Sequence, residues 1–109
     1  MGRPAETENT FRMWEYLNRD NALGNGRSVA TGWGSSTVAV FLAVAWLNDT
    51  GQCATVDPIS RLSGQSASPT HDRLRVAVCH ALSPIVRLAP VKGQCPCGNA
   101  RAHHYSVAL

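Results

Sequence analysis

Apolar residues recur along this chain first with a helical period and then with an alternating one, and that switch outlines most of its elements. Between residues 9 and 23, Phe11, Trp14 and Leu17 return at three-residue steps. Asn9 or Thr10 can cap the start, and Gly24-Asn25-Gly26 can stop it. A short amphipathic helix outside the main core is predicted, able to dock intramolecularly or to pair two subunits. Residues 27–34 read as a connector, with residues 28–31 as a short strand and Gly32-Trp33-Gly34 as a bend. Ser35 and Ser36 then cap a helix reaching Trp46 or Leu47. Its Val38, Phe41, Leu42, Ala45 and Trp46 leave little polar face, so it is expected at the centre of the fold. Asn48-Asp49-Thr50-Gly51 ends it.

Residues 53–56 are too few for a helix and suit a small strand. Asp57-Pro58 provides a cap with proline at the first helical position, opening a short helix that stops at Ser63-Gly64. After a turn at residues 65–67, Ser68-Pro69 repeats the device and opens a helix over residues 69–82. Its Leu74, Ala77, Val78, Ala81 and Leu82 follow the spacing of one buried face. Asp72, Arg73, Arg75, Val76, Cys79 and His80 fall on the other side. The period then changes. Residues 85–89 are strand-like, and residues 102–109 alternate His103, Tyr105, Val107 and Leu109 with His104, Ser106 and Ala108. The Gly-, Pro- and Asn-rich stretch between them makes this a hairpin with an extended tip.

A chain of 109 residues, 44% hydrophobic and 16% charged, is expected to be a single folded α+β domain. Its longest apolar run, residues 38–47, is half of the roughly 20 residues that a membrane helix needs. The stretch MGRPAETENT has neither an apolar segment nor a cleavage pattern, which predicts a cytoplasmic address. In that compartment Cys53, Cys79, Cys95 and Cys97 are expected to be thiols or metal ligands and not structural disulfides.

Charge adds the strongest hint of a partner. Residues 1–57 hold four arginines against six carboxylates, a net of −2, while residues 58–109 hold six cations against Asp72 alone, a net of +5. A basic half of this kind suits a polyanion, with nucleic acid first.

The order helix, short strand, short helix, turn, second helix and hairpin, carried by ATVDPISRLSG, SPTHDRLRVAVCHAL and ARAHHYSVAL, resembles the winged helix-turn-helix domain of small ArsR- and MarR-like transcription regulators. The likeness covers residues 35–109, leaving residues 1–34 as an N-terminal accessory helix and connector. It implies a homodimeric regulator of double-stranded DNA whose recognition helix spans residues 69–82. Arg73 and Arg75 would face the major groove, where a guanidinium fork can read guanine. It also implies phosphate contacts from Thr70 and His71 near the helix N-terminus. Arg87, Lys92 and Arg101 on the hairpin and Arg61 on the preceding helix would hold the backbone.

A second constellation joins Cys95-Pro96-Cys97-Gly98 at the hairpin tip with His103 and His104, and with Cys79-His80 at the end of the long helix. These types ligate zinc, although C-x-C is a tighter bite than an ordinary knuckle uses. For His103 a packed hairpin position is the alternative. The chain lacks a Gly-rich phosphate loop after a strand, HExxH and paired carboxylates, so no enzymatic activity is expected. The competing function is a winged-helix module that binds protein and regulates or inhibits a nucleic-acid-processing complex. Val76, Ala77 and Val78 give its long helix the apolar middle that this would use.

Overall fold

The computed structural model describes residues 7–21, 26–88 and 103–109. Among these the chain is α+β, with five helices and one two-stranded antiparallel sheet. The order is α1 (Glu8–Leu17), α2 (Val29–Trp33), α3 (Ser35–Asp49), α4 (Val56–Ser63), α5 (Ala67–Val78), β1 (Ile85–Leu88) and β2 (His104–Val107).

Everything is arranged around α3. Val40, Phe41, Ala43, Val44, Ala45 and Leu47 are buried on several sides of it at once, as its lack of a polar face requires. They join Met13 and Leu17 of α1, Ile59 of α4, Leu74 and Ala77 of α5, and Ile85 and Tyr105 of the hairpin in one core. The first helix therefore belongs to this core instead of lying outside it. The buried pair is Met13 and Leu17, one turn apart, while Phe11 and Trp14 of the expected apolar face remain exposed.

The last two residues of α3 fasten the chain on either side. The Asp49 carboxylate accepts the backbone N–H of Asn9 at 2.8 Å, the N–H of Thr10 at 2.7 Å and the Thr10 hydroxyl at 2.6 Å. These N–H groups have no partner within α1, so a carboxylate from another helix supplies the cap that Thr7 does not. Burial raises the Asp49 pKa, but the bonds from Thr10 and Asn9 together outweigh it and the net shift is downward. Asn48 works on β2. Its Nδ2 donates to the Tyr105 carbonyl at 3.2 Å and its Oδ1 accepts the Val107 N–H at 2.9 Å. One side-chain amide thus takes the place of a neighbouring strand along the edge that β1 leaves open. Ala54 adds one more bond there, accepting the Tyr105 N–H at 3.0 Å.

Several boundaries differ from those read in the sequence. Residues 28–31 are not a strand, because the Ser28 hydroxyl accepts the Thr31 N–H and turns the chain into α2. Gly34, at φ 93° and ψ 154°, then reverses the path in a conformation open to glycine, and α3 starts without a serine cap. Residues 53–56 form no strand among the described residues. Extended Thr55 is the N-cap of α4 and Ser66 that of α5, each one turn ahead of its proline. Pro58 and Pro69 therefore sit third in their helices, where the missing N–H is still one of the unsatisfied first four. Gly64, left-handed at φ 72°, stops α4 as expected. The long helix ends at Val78, and residues 79–82 form turns ahead of Pro84, which disfavours helix in the residue before it. Ala81 and Leu82 consequently lie outside the core instead of on a buried face.

Cys53 overturns the expectation of reduced thiols, since it is disulfide-bonded, with a partner outside the described residues. Cys79 is a free, exposed thiol. No helix among the described residues is long and apolar enough to cross a membrane.

Two outcomes follow from the end of α3. Asn48→Ala leaves two strand-edge groups without their partner and is expected to cost about 1–3 kcal/mol, with faster hydrogen exchange at the Val107 amide. The lowered pKa of Asp49 means that its contribution is present above the ordinary value of 3.8 and is lost as pH falls through the folded value. Thermal unfolding scanned downward from pH 5 should show this loss in the parent chain, and an Asp49→Asn variant should lack that part of the acid dependence.

Candidate nucleic-acid interface

The residues proposed to meet nucleic acid lie on three elements, and the structure treats them unequally. Thr70 is fully buried. Its hydroxyl donates to the Ser66 carbonyl at 2.9 Å, and its N–H is also bonded to that carbonyl. Since α5 starts at Ala67, Thr70 is a whole turn into the helix, so it is a packing residue and not a phosphate contact. His71 is exposed, with its Nδ1 4.0 Å from the Asp72 carboxylate.

Arg73 and Arg75, two positions apart on α5, differ in freedom. Arg73 is half-buried, and its Nε donates to Gln65 Oε1 at 2.8 Å. Gln65 in turn donates through Nε2 to the Ser36 carbonyl at 2.9 Å. The guanidinium is thereby tied across the α4–α5 turn to the first turn of α3. Its Nη atoms take no part in that bond, so the end of the fork remains available for a bidentate contact. Arg75 is exposed and stands 3.8 Å from Asp72 one turn back, a solvated i,i+3 pair worth little in stability. Sequence reading placed Asp72 on the same side as these arginines but missed Gln65. A contact eight residues away across a turn has no periodicity to announce it.

Arg61 is exposed in the last turn of α4, where a cation is favoured by the helix dipole. Arg87 is exposed on β1, opposite Tyr105 in the hairpin register. Burial pushes the Tyr105 phenol up, and the charge of Arg87 opposes this. A family-model scan and searches of curated proteins and solved structures find no match for this chain. Lys92 and Arg101 lie outside the described residues.

The outward side of α5 is mixed in character. Val76, on the helix that carries His71 and Arg75, is 59% exposed, and Cys79 just past the end of that helix is exposed as well. Leu62 is exposed on α4. For the metal candidates, Cys95 and Cys97 lie outside the described residues. His103 is exposed one residue ahead of β2, so it is not packed into the hairpin even though it shares the alternation of Tyr105 and Val107. His104 is half-buried and already has an interaction partner. Among the described residues no three His, Cys, Asp or Glu side chains gather closely enough to hold a metal ion.

The burial of Thr70 separates packing from contact. Thr70→Val keeps the shape and removes only the hydroxyl, so a loss of about 1 kcal/mol or less in unfolding free energy is expected. Nucleic-acid affinity should be unchanged, as a fluorescence-anisotropy titration beside chemical denaturation will show.

Proposed function

We propose that this chain is a DNA-binding transcriptional regulator of the winged helix-turn-helix type. In this reading α4, the Gly64 turn and α5 are the helix-turn-helix, α5 is the recognition helix, and the β1–β2 hairpin is the wing. One observation carries the reading: α4, α5 and the hairpin follow one another without interruption and each displays an exposed cation, Arg61, Arg75 and Arg87 respectively. In this reading residues 52–55, where the Ala54 carbonyl accepts the Tyr105 N–H of β2, take the place of a short third strand.

Within this reading, Arg73 and Arg75 read base edges in the major groove while His71, Arg61 and Arg87 meet phosphates. Lys92 and Arg101, outside the described residues, are assigned phosphate contacts in this reading from the sequence pattern alone. The tie from Gln65 gives Arg73 a fixed approach, which favours discrimination between bases over simple charge attraction. Two copies would address half-sites about 34–36 Å apart.

A second reading draws on the exposure of Val76 and Leu62. The same two helices could dock a protein partner of a nucleic-acid machine through their apolar residues.

Fluorescence anisotropy with random and promoter-derived duplexes distinguishes the two. Affinity should fall steeply with salt, and Arg61→Ala or Arg87→Ala should each lower the logarithmic salt slope by about 0.9. Arg73→Ala or Arg75→Ala should cost about 1–3 kcal/mol on the preferred sequence and less on random DNA. Absence of duplex binding at low salt overturns the DNA reading in favour of the protein-binding one.

A further inference from the structure

A cavity of about 690 Å³ opens between the C-terminal end of α1, helix α2 and the turns after α5. It is separate from the cationic elements discussed above. Its size falls in the range usual for small-molecule sites.

Its walls are aromatic and held in place. The Trp33 indole N–H donates to the Tyr16 hydroxyl oxygen at 2.9 Å, and the Tyr16 hydroxyl donates to the Leu82 carbonyl at 3.2 Å. Trp33 also meets Phe41 edge-on at 5.0 Å and His80 at 4.9 Å. The polar atoms of both large rings are therefore already bonded to each other and to the backbone, and what they offer an occupant is ring surface. Gly32 lies beside them, and a Cβ placed there would meet nothing within 4 Å. The position of this glycine adds open space next to the indole.

The lining also carries opposite charges. Arg19 and Asp20 both border the cavity and are both exposed, and neither forms an ion pair among the described residues. His80, also in the lining, accepts the Leu82 N–H on Nδ1 at 3.1 Å, which leaves Nε2–H of the neutral ring as a donor. A ring-lined space with an available guanidinium and an available carboxylate matches a small molecule that has an aromatic body and both signs of charge.

We propose that this cavity binds a free aromatic α-amino acid, with its ring against Trp33 and its carboxylate and ammonium groups matched to Arg19 and Asp20. The carboxylate suits the planar guanidinium fork, and the ring gains an aromatic contact beyond simple burial. The site is independent of the DNA reading and is tested without nucleic acid.

Isothermal titration calorimetry of the full chain with L-phenylalanine, 3-phenylpropanoate and phenethylamine provides the test. L-phenylalanine should bind saturably at one site with a Kd of about 1 mM or tighter, and each single-charge analogue should bind at least about tenfold more weakly. Arg19→Ala should weaken L-phenylalanine by about tenfold and leave phenethylamine unchanged. Gly32→Leu, at a position where a side chain has room, should fold normally by circular dichroism and lose L-phenylalanine binding. No saturation up to about 10 mM, equal affinity for 3-phenylpropanoate, or unaltered binding to Gly32→Leu would each overturn the proposal.

Discussion

A helix with almost no polar face has to be covered on most sides, and that constraint on α3, which leaves Trp46 as the exposed one among its expected core residues, organises the rest of the chain. Val40, Phe41, Val44 and Leu47 cannot be hidden by one neighbour, so α1, α2, α4, α5 and the hairpin surround them. Apolar burial alone would let these elements slide. Their placement is fixed where α3 ends, because Asn48 grips β2 and Asp49 caps α1. Consecutive residues on a helix diverge by about 100°, which is why two neighbours can serve two different elements. The hydrophobic surface supplies the driving force and these two polar side chains supply the register.

Much of this architecture was legible in the sequence. The apolar run from Val38 to Leu47 announced a central helix, Gly64 announced the turn between α4 and α5, and the alternation around Tyr105 announced the hairpin. The misreadings share a cause. Asp-Pro and Ser-Pro looked like cap and first helical residue, whereas Thr55 and Ser66 cap one turn earlier and proline is accepted third. Ser28 to Thr31 has strand-like composition, yet one serine hydroxyl bonded three residues ahead commits it to a helical turn. Asn48 and Asp49 were taken only as helix terminators, because their partners lie about 40 to 60 residues away and a local pattern has no term for them.

The candidate interface was legible to a smaller degree. Helical period placed Asp72, Arg75 and Val76 correctly on the outer side of α5. It failed at Thr70, where a small polar residue near a helix start looks available until the start moves back and its hydroxyl turns inward to the Ser66 carbonyl. It was blind to the difference between Arg73 and Arg75, which depends on Gln65 reaching across a turn. Cys53 marks another limit. Compartment arguments assigned it a thiol, while the fold gives it a covalent partner.

The double anchorage at the end of α3 also bears on how the chain acquires its structure. Asn9 is 40 residues from Asp49, and Tyr105 is 57 residues from Asn48. Loop-closure entropy grows by only about 0.6 kcal/mol per doubling of length, so the two closures cost nearly the same and neither is local. Helices α3, α4 and α5 can come together over short connections, but one flank of α3 stays bare until β2 is made and returns to Asn48. Emerging from the ribosome, the most apolar helix of the chain must therefore wait for more than 50 further residues before its last side is closed. In that interval its exposed surface is open to aggregation and to chaperones.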